Sequence, residues 1–126
     1  MLVFVGVERE DGAKEASKLA ARIVNYRIFA DGAGKMNLSV LEVGGDVLLV
    51  PQFTLVADTS GGLRPSFSRA APPAVGAALF DSLVAAVAAT GVRYACGRFG
   101  ADMQVTLTND GPVTFWLQAA PARPAG

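Results

Sequence analysis

Apolar and polar residues alternate along this chain in a way that predicts short strands around two helices. Leu2 to Val7 reads as a buried strand, and Asp11-Gly12 offers a turn and a helix N-cap. From Ala13 to about Phe29 the residues Ala16, Leu19, Ala20, Ile23 and Val24 recur at helical spacing, with Lys14, Lys18 and Arg22 off that stripe as a solvated face. Asp31 to Lys35 is a turn cluster, Met36 to Val43 a predicted strand, and Gly44-Gly45-Asp46 a hairpin turn. Val47 to Val50 reads as a strand buried on both faces, continued past Pro51 by Gln52 to Leu55. Residues 57–71 form a long ordered loop, a length common among functional loops. Pro72-Pro73 starts a second helix to about Ala89, with Val75, Leu79, Leu83, Ala86 and Val87 on its core stripe. Strands follow at Val92 to Phe99, Met103 to Thr108 and Val113 to Gln118, the last pair split by Asn109-Asp110-Gly111-Pro112. The Pro/Ala-rich stretch from Ala119 to Gly126 reads as a disordered tail. The expected class is α+β: a mainly antiparallel, curved, barrel-like β-sheet with two packed helices, in a single domain over residues 1–118.

Composition narrows the chemistry more than the fold. The 126 residues are 52% hydrophobic and 17% charged, which suits a compact core and excludes a disordered chain. No apolar run is long enough to span a bilayer, and the apolar start lacks the basic flank and cleavage site of a signal peptide. The expectation is therefore no membrane partner. A single cysteine, Cys96, excludes an internal disulfide, suits a reducing cytoplasmic location and reads as inert core. The complete lack of histidine removes Ser-His-Asp and Cys-His catalysis and every His-based metal site, so neither a metal nor a cofactor is expected. Zero net charge implies that any nucleic-acid contact is small, such as a strand end.

Two segments are odd for pure structure. In Pro51-Gln52-Phe53-Thr54-Leu55 the proline removes a ladder donor, and Gln52 and Thr54 share one face of a strand. The pair either lines a pocket or faces solvent. In Asn109-Asp110-Gly111-Pro112-Val113-Thr114 the turn residues mark either a plain loop or a special backbone shape. The carboxylates Asp58, Asp81, Asp102 and Asp110 are scattered and suggest no acid–base pair, and Ser66 and Ser68 have no histidine to activate them. Any catalysis must use backbone donors, amides, hydroxyls and positioning, which suits a bond that is already labile, such as an activated ester.

Taken together, the two segments resemble the D-aminoacyl-tRNA deacylase family. Its Ser-Gln-Phe-Thr-Leu and Asn-x-Gly-Pro-Val-Thr motifs stand here at residues 51–55 and 109–114. Tyr26-Arg27-Ile28-Phe29, Gly34-Lys35-Met36-Asn37, Leu63-Arg64-Pro65-Ser66-Phe67 and Gly97-Arg98-Phe99-Gly100-Ala101-Asp102-Met103 also look like the family, in unbroken order from about Leu2 to Leu117.

The resemblance implies an enzyme that hydrolyses the ester of D-aminoacyl-tRNA, and of glycine mischarged on tRNA-Ala, as chirality proofreading in translation. It implies a cytoplasmic homodimer with pockets at the subunit interface and the tRNA acceptor end as partner. Gly111-Pro112 would be cis, and its carbonyls would meet the substrate amino group and exclude an L-side chain. Asn109 belongs to the same motif. Gln52, Phe53 and Thr54 would form the other wall, with N–H groups near Phe53 and Thr54 as the oxyanion site. The resemblance offers two roles for Thr54, nucleophile or bystander to a terminal adenosine whose 2′-OH assists. Met103 and Phe67 would shape the pocket. Two departures stand out. Pro51 replaces the family's Ser, as it does in a sister family that lacks the Phe at position 53. The family also has a strand and hairpin, carrying an arginine near the Gly-Pro loop, ahead of the Leu2 strand, so upstream residues are expected in the natural protein. The alternatives are an editing deacylase for another misacylated tRNA and a non-catalytic module that holds an RNA end.

Overall fold

The computed structural model describes residues 1–122. Its elements run β1 (Leu2–Val5), α1 (Ala13–Asn25), β2 (Phe29–Ala30), β3 (Met36–Leu38), β4 (Asp46–Pro51), a 3-10 turn (Phe53–Val56), α2 (Pro73–Ala88) and β5 (Arg93–Cys96). The α+β class with two helices holds. The sheet does not match the expectation, because β1, β4 and β5 form a parallel three-stranded sheet in the order β1-β4-β5. Among the strand pairs of the described residues β2–β3 alone is antiparallel, and it forms a separate open sheet rather than part of a barrel. The physical reason is connection length. A helix lies between β1 and β4 and another between β4 and β5, and such crossovers return the chain to the same end of the sheet.

The core lies where the helices cover one face of this sheet. Val47 and Leu49 of β4 meet Ala20, Ile23 and Val24 of α1 and Phe80, Leu83 and Val87 of α2. Each such buried aliphatic contributes about 1.5–3 kcal/mol. The stripe expected on α1 is the buried one, and the small Ala16 and Ala20 let α2 pack closely. On α2 the buried line is Gly76, Phe80, Leu83 and Val87, while Val75 is exposed. That helix is apolar almost all round, so spacing alone did not fix which side faces inward. Its Gly76 leaves room for the Phe99 ring, which a Cβ would approach at 3.2 Å. The far face of the sheet carries half-exposed Phe4 and Leu48, so β4 is not buried on both faces.

Other corrections follow from missing partners. α1 stops at Asn25 instead of reaching Phe29, and Tyr26 is already extended. Asn25 caps its last turn by donating to Ala21 O at 2.8 Å. β3 ends at Leu38, and the next residues turn. Residues 103–108 and 113–118 form no strand, since their backbone meets no ladder partner among the described residues. Cys96 is exposed rather than core, because β5 is an edge strand. Of the tail expected at 119–126, residues 123–126 lie outside the described part. No helix among the described residues is long and apolar enough to cross a membrane.

Two features at the end of β1 invite measurement. A Cβ on Gly6 would lie 2.7 Å from Val56 Cγ1 and 3.2 Å from Leu55 Cβ, so the 3-10 turn packs directly on this glycine. Gly6→Ala is expected to lose about 1–3 kcal/mol in a urea titration; an unchanged midpoint would show that the turn can withdraw at no cost. Nearby, Asp11 Oδ1 is buried without a hydrogen-bond partner among the described residues. Beside it lies a cavity of about 30 Å³, room for a water molecule, lined by Val5, Gly12, Leu19, Leu83 and Ala119. Burial raises the Asp11 carboxyl above its ordinary value of 3.8, against the opposing bond from the Glu8 N–H. A raised folded value favours the protonated form, so this contribution is complete below 3.8 and is lost as pH rises through the folded value. Asp11→Asn should therefore gain melting temperature relative to the parent as pH is raised across that window. Parallel pH–stability curves for the two proteins would reject this.

Candidate active site

Parallel strands end together, and Gln52, Phe53, Thr54, Phe67 and Met103, though not Asn109, Gly111 and Pro112, lie at or beside that carboxyl edge. β4 finishes at Pro51, opposite Val5, where its missing N–H leaves the ladder. The Gln52 N–H then donates to Val5 O at 2.8 Å and ties the next residue to β1. From there the chain turns into the 3-10 helix instead of continuing as a strand, because Gly6 opens the space that Leu55 and Val56 fill. Gln52 and Thr54 still share one side: Gln52 Nε2 donates to Thr54 Oγ1 at 2.5 Å. The Phe53 and Thr54 N–H groups open the helix and have no acceptor among the described residues, as the first donors of any helix lack intrahelical partners. Phe53 is 59% exposed and stacks on Phe67 with ring centroids 5.0 Å apart.

Met103 joins this cluster from the β5 side. The Gly97 N–H donates to Leu49 O at 2.8 Å, and a Cβ on Gly97 would lie 2.9 Å from Met103 Sδ and 3.3 Å from Pro51 Cδ. A side chain at position 97 would press on both Met103 and Pro51. Gln52, Phe53, Thr54, Phe67 and Met103 thus form one neighbourhood.

The Gly-Pro loop is a separate unit. Asn109 closes it, with Nδ2 donating to Thr114 Oγ1 at 2.8 Å and Oδ1 accepting from the Val113 N–H at 2.8 Å. Gly111-Pro112 is a cis peptide at the exposed tip, with Gly111 at φ +129. No hydrogen bond or ring contact joins this loop to Gln52–Thr54 among the described residues. The segment that carries it is held instead by side chains on α1 and on either side of that helix. Arg22 Nη1 donates to Gln118 O at 3.0 Å, Gln118 Nε2 donates to Glu8 Oε2 at 3.4 Å, and Tyr26 meets Phe115 at 6.0 Å between ring centroids. The Arg22 guanidinium lies 5.9 Å from the Tyr26 ring centre. Sequence reasoning read Arg22 as part of a solvated face, which its bond to Gln118 O corrects, and flagged Tyr26 only within the family-like run Tyr26-Arg27-Ile28-Phe29.

The loop between the 3-10 turn and α2 borders the same neighbourhood. Asp58 and Ser66 exchange backbone hydrogen bonds at 2.8 and 2.9 Å. The Asp58 carboxylate accepts from the Ser60 N–H at 2.9 Å, and the Ser60 side chain and N–H hold it below the usual carboxylate range. No cluster of three or more His, Cys, Asp or Glu fit to hold a metal ion occurs among the described residues. An open hollow of about 530 Å³ is lined by Phe80, Asp81, Val84, Cys96, Gly97, Arg98 and Phe99.

This chain matches the sequence model of the D-Tyr-tRNA(Tyr) deacylase family over residues 1–118. It belongs to that family. It is 58% identical over 118 residues to the D-aminoacyl-tRNA deacylase of Cronobacter sakazakii, covering 94% of this chain and 81% of that protein. With the Pseudomonas putida D-aminoacyl-tRNA deacylase it is 61% identical over the same shares. Among solved structures, the c-Myc DNA unwinding element binding protein superposes with a TM-score of 0.87 at 34% identity, over 96% of this chain and 82% of that one. A probable eukaryotic D-amino acid tRNA deacylase gives a TM-score of 0.70 at 19% identity, over 80% and 75% of the two chains, a likeness of fold alone.

Since no ladder secures the segment around the Gly-Pro loop, its position should depend on the Tyr26–Phe115 contact. Tyr26→Ala is expected to lose about 0.5–1.5 kcal/mol and to speed amide exchange across residues 103–118, with Tyr26→Phe close to the parent. Equal exchange in all three proteins would show that the contact does not hold the segment.

Proposed function

We propose that this chain hydrolyses the ester of D-aminoacyl-tRNA with residues 1–118 as one deacylase domain, releasing the D-amino acid and free tRNA in the cytoplasm. The observation that carries the reading is the joint presence of the two family motifs in a chain that matches the family model over residues 1–118. The N–H groups of Phe53 and Thr54 receive the developing oxyanion, the largest electrostatic aid available to a site without histidine. Gln52 fixes the Thr54 hydroxyl, and Phe53 with Phe67 forms an apolar wall for the aminoacyl end. Met103 closes that wall beside Pro51.

Chirality is read by exclusion. Gly111 and Pro112, braced by Asn109, present backbone carbonyls to the substrate amino group, and an L-side chain collides with them. Within one chain no hydrogen bond or ring contact joins the loop to Gln52–Thr54 among the described residues, and a homodimer resolves this: each protomer's loop enters its partner's pocket. An activated ester needs no metal or cofactor for this scheme, and the 2′-OH of the terminal adenosine supplies the proton relay that the protein lacks.

The deciding assay compares matched D-Tyr-tRNA and L-Tyr-tRNA. Loss of the D-ester at least a hundredfold faster is expected, and equal rates would reject a chiral deacylase. Glycyl-tRNA, which has no side chain to exclude, is expected to react as well. Thr54→Ala should retain turnover within about threefold of the parent if the hydroxyl only orients Gln52; a drop of about a thousandfold or more would make Thr54 the nucleophile.

A further inference from the structure

The tip of the loop between the 3-10 turn and α2 has chemistry that the hydrolytic site does not use. Backbone bonds between Asp58 and Ser66 pinch the loop. The Arg9 N–H donates to Arg69 O at 3.0 Å, Ala71 N–H donates to Val7 O at 2.9 Å, and Arg9 Nε donates to Ser68 O at 2.6 Å. Residues 60–65 therefore project from a fixed base. At this tip Leu63 is fully exposed, at 104%. Arg64 beside it is exposed too, with neither an ion-pair partner nor a hydrogen-bond acceptor among the described residues. Most other arginines of the chain are engaged. Arg69 faces Glu8 at 3.8 Å, Arg93 faces Asp46 at 3.0 Å, and Arg9, Arg22 and Arg27 donate to oxygens of the protein.

Position gives this pair its meaning. Phe67, three residues beyond Arg64, stacks on Phe53, so the Arg64 backbone lies within roughly 10 Å of the pocket wall by chain length alone. A protein of zero net charge that acts on a polyanion must grip it with few, local cations. A free guanidinium suits a phosphate, and an exposed aliphatic side chain suits the face of a ribose or an unstacked base.

We infer that the Leu63-Arg64 tip holds the single-stranded 3′ end of the tRNA, with Arg64 on a phosphate next to the esterified nucleotide and Leu63 against its sugar or base. This contact reads backbone rather than sequence, and it rests on the deacylase reading above. It gives the enzyme affinity for tRNA without adding to the chemical step.

The test uses two substrates, D-Tyr-tRNA and the D-Tyr ester of adenosine, which has no phosphate. Arg64→Gln should raise KM for the tRNA about three- to tenfold with kcat within twofold, and leave the adenosine ester unchanged. It should also flatten the dependence of log kcat/KM on log salt by roughly 0.7, the share of one phosphate on a single strand. Arg64→Lys should restore most of that slope, and Leu63→Ala, facing a sugar or base that both substrates carry, should raise KM for both while keeping the slope. Equal KM changes on both substrates for Arg64→Gln, or no change on either for both variants while the parent enzyme is active, would overturn the contact and leave the deacylase reading intact. A parent protein inactive on both esters would overturn the two together.

Discussion

The pairing of β4 between β1 and β5 is the constraint on which the site depends. Leu49 at its centre is fully buried under the two helices, and this burial fixes the height at which the strands end. Because the strands are parallel, Gly6, Gln52 and Gly97 leave the sheet at one edge. An antiparallel sheet would have sent these ends to opposite sides. The two glycines act as spaces. One receives the 3-10 turn and the other admits Met103, so the neighbourhood of Gln52–Thr54 is shaped as much by missing side chains as by those present.

The molecule divides into a part held by ladders and a part held by side chains. The sheet and helices share one apolar core, whereas residues 103–118 run over the surface with Phe115 and Trp116 largely exposed. Arg22, Tyr26 and Gln118 hold this segment at a few points. Such regions open at lower free energy than the core does. The Gly111-Pro112 loop on this segment is closed locally by Asn109.

Chemistry without histidine shifts the work to position and backbone dipoles. An ester of tRNA is labile, and the discrimination required is between mirror images rather than between functional groups. Backbone carbonyls on a closed loop do this well, since they cannot rotate away as a side chain can. On the proposed reading, the RNA contributes both an assisting hydroxyl and the phosphates that anchor it, consistent with a chain whose formal charges balance.

Much of this was legible from residue order. The α1 stripe of Ala16, Ala20, Ile23 and Val24, the start of α2 at Pro73, the α+β class and the two motifs all follow from local pattern, because helix spacing and turn chemistry are local properties. The family resemblance singled out Gln52, Phe53, Thr54, Asn109, Gly111 and Pro112 as candidates without any coordinates. Strand direction, the inward side of α2, the turn after Pro51 and the fate of residues 103–118 were decided only by tertiary structure. Each depends on a partner distant in sequence: Val5 for Pro51 and Gln52, Phe99 for Gly76, Gly6 for the 3-10 turn, Tyr26 for Phe115. An apolar run states that it will be buried; only the packed chain states against what.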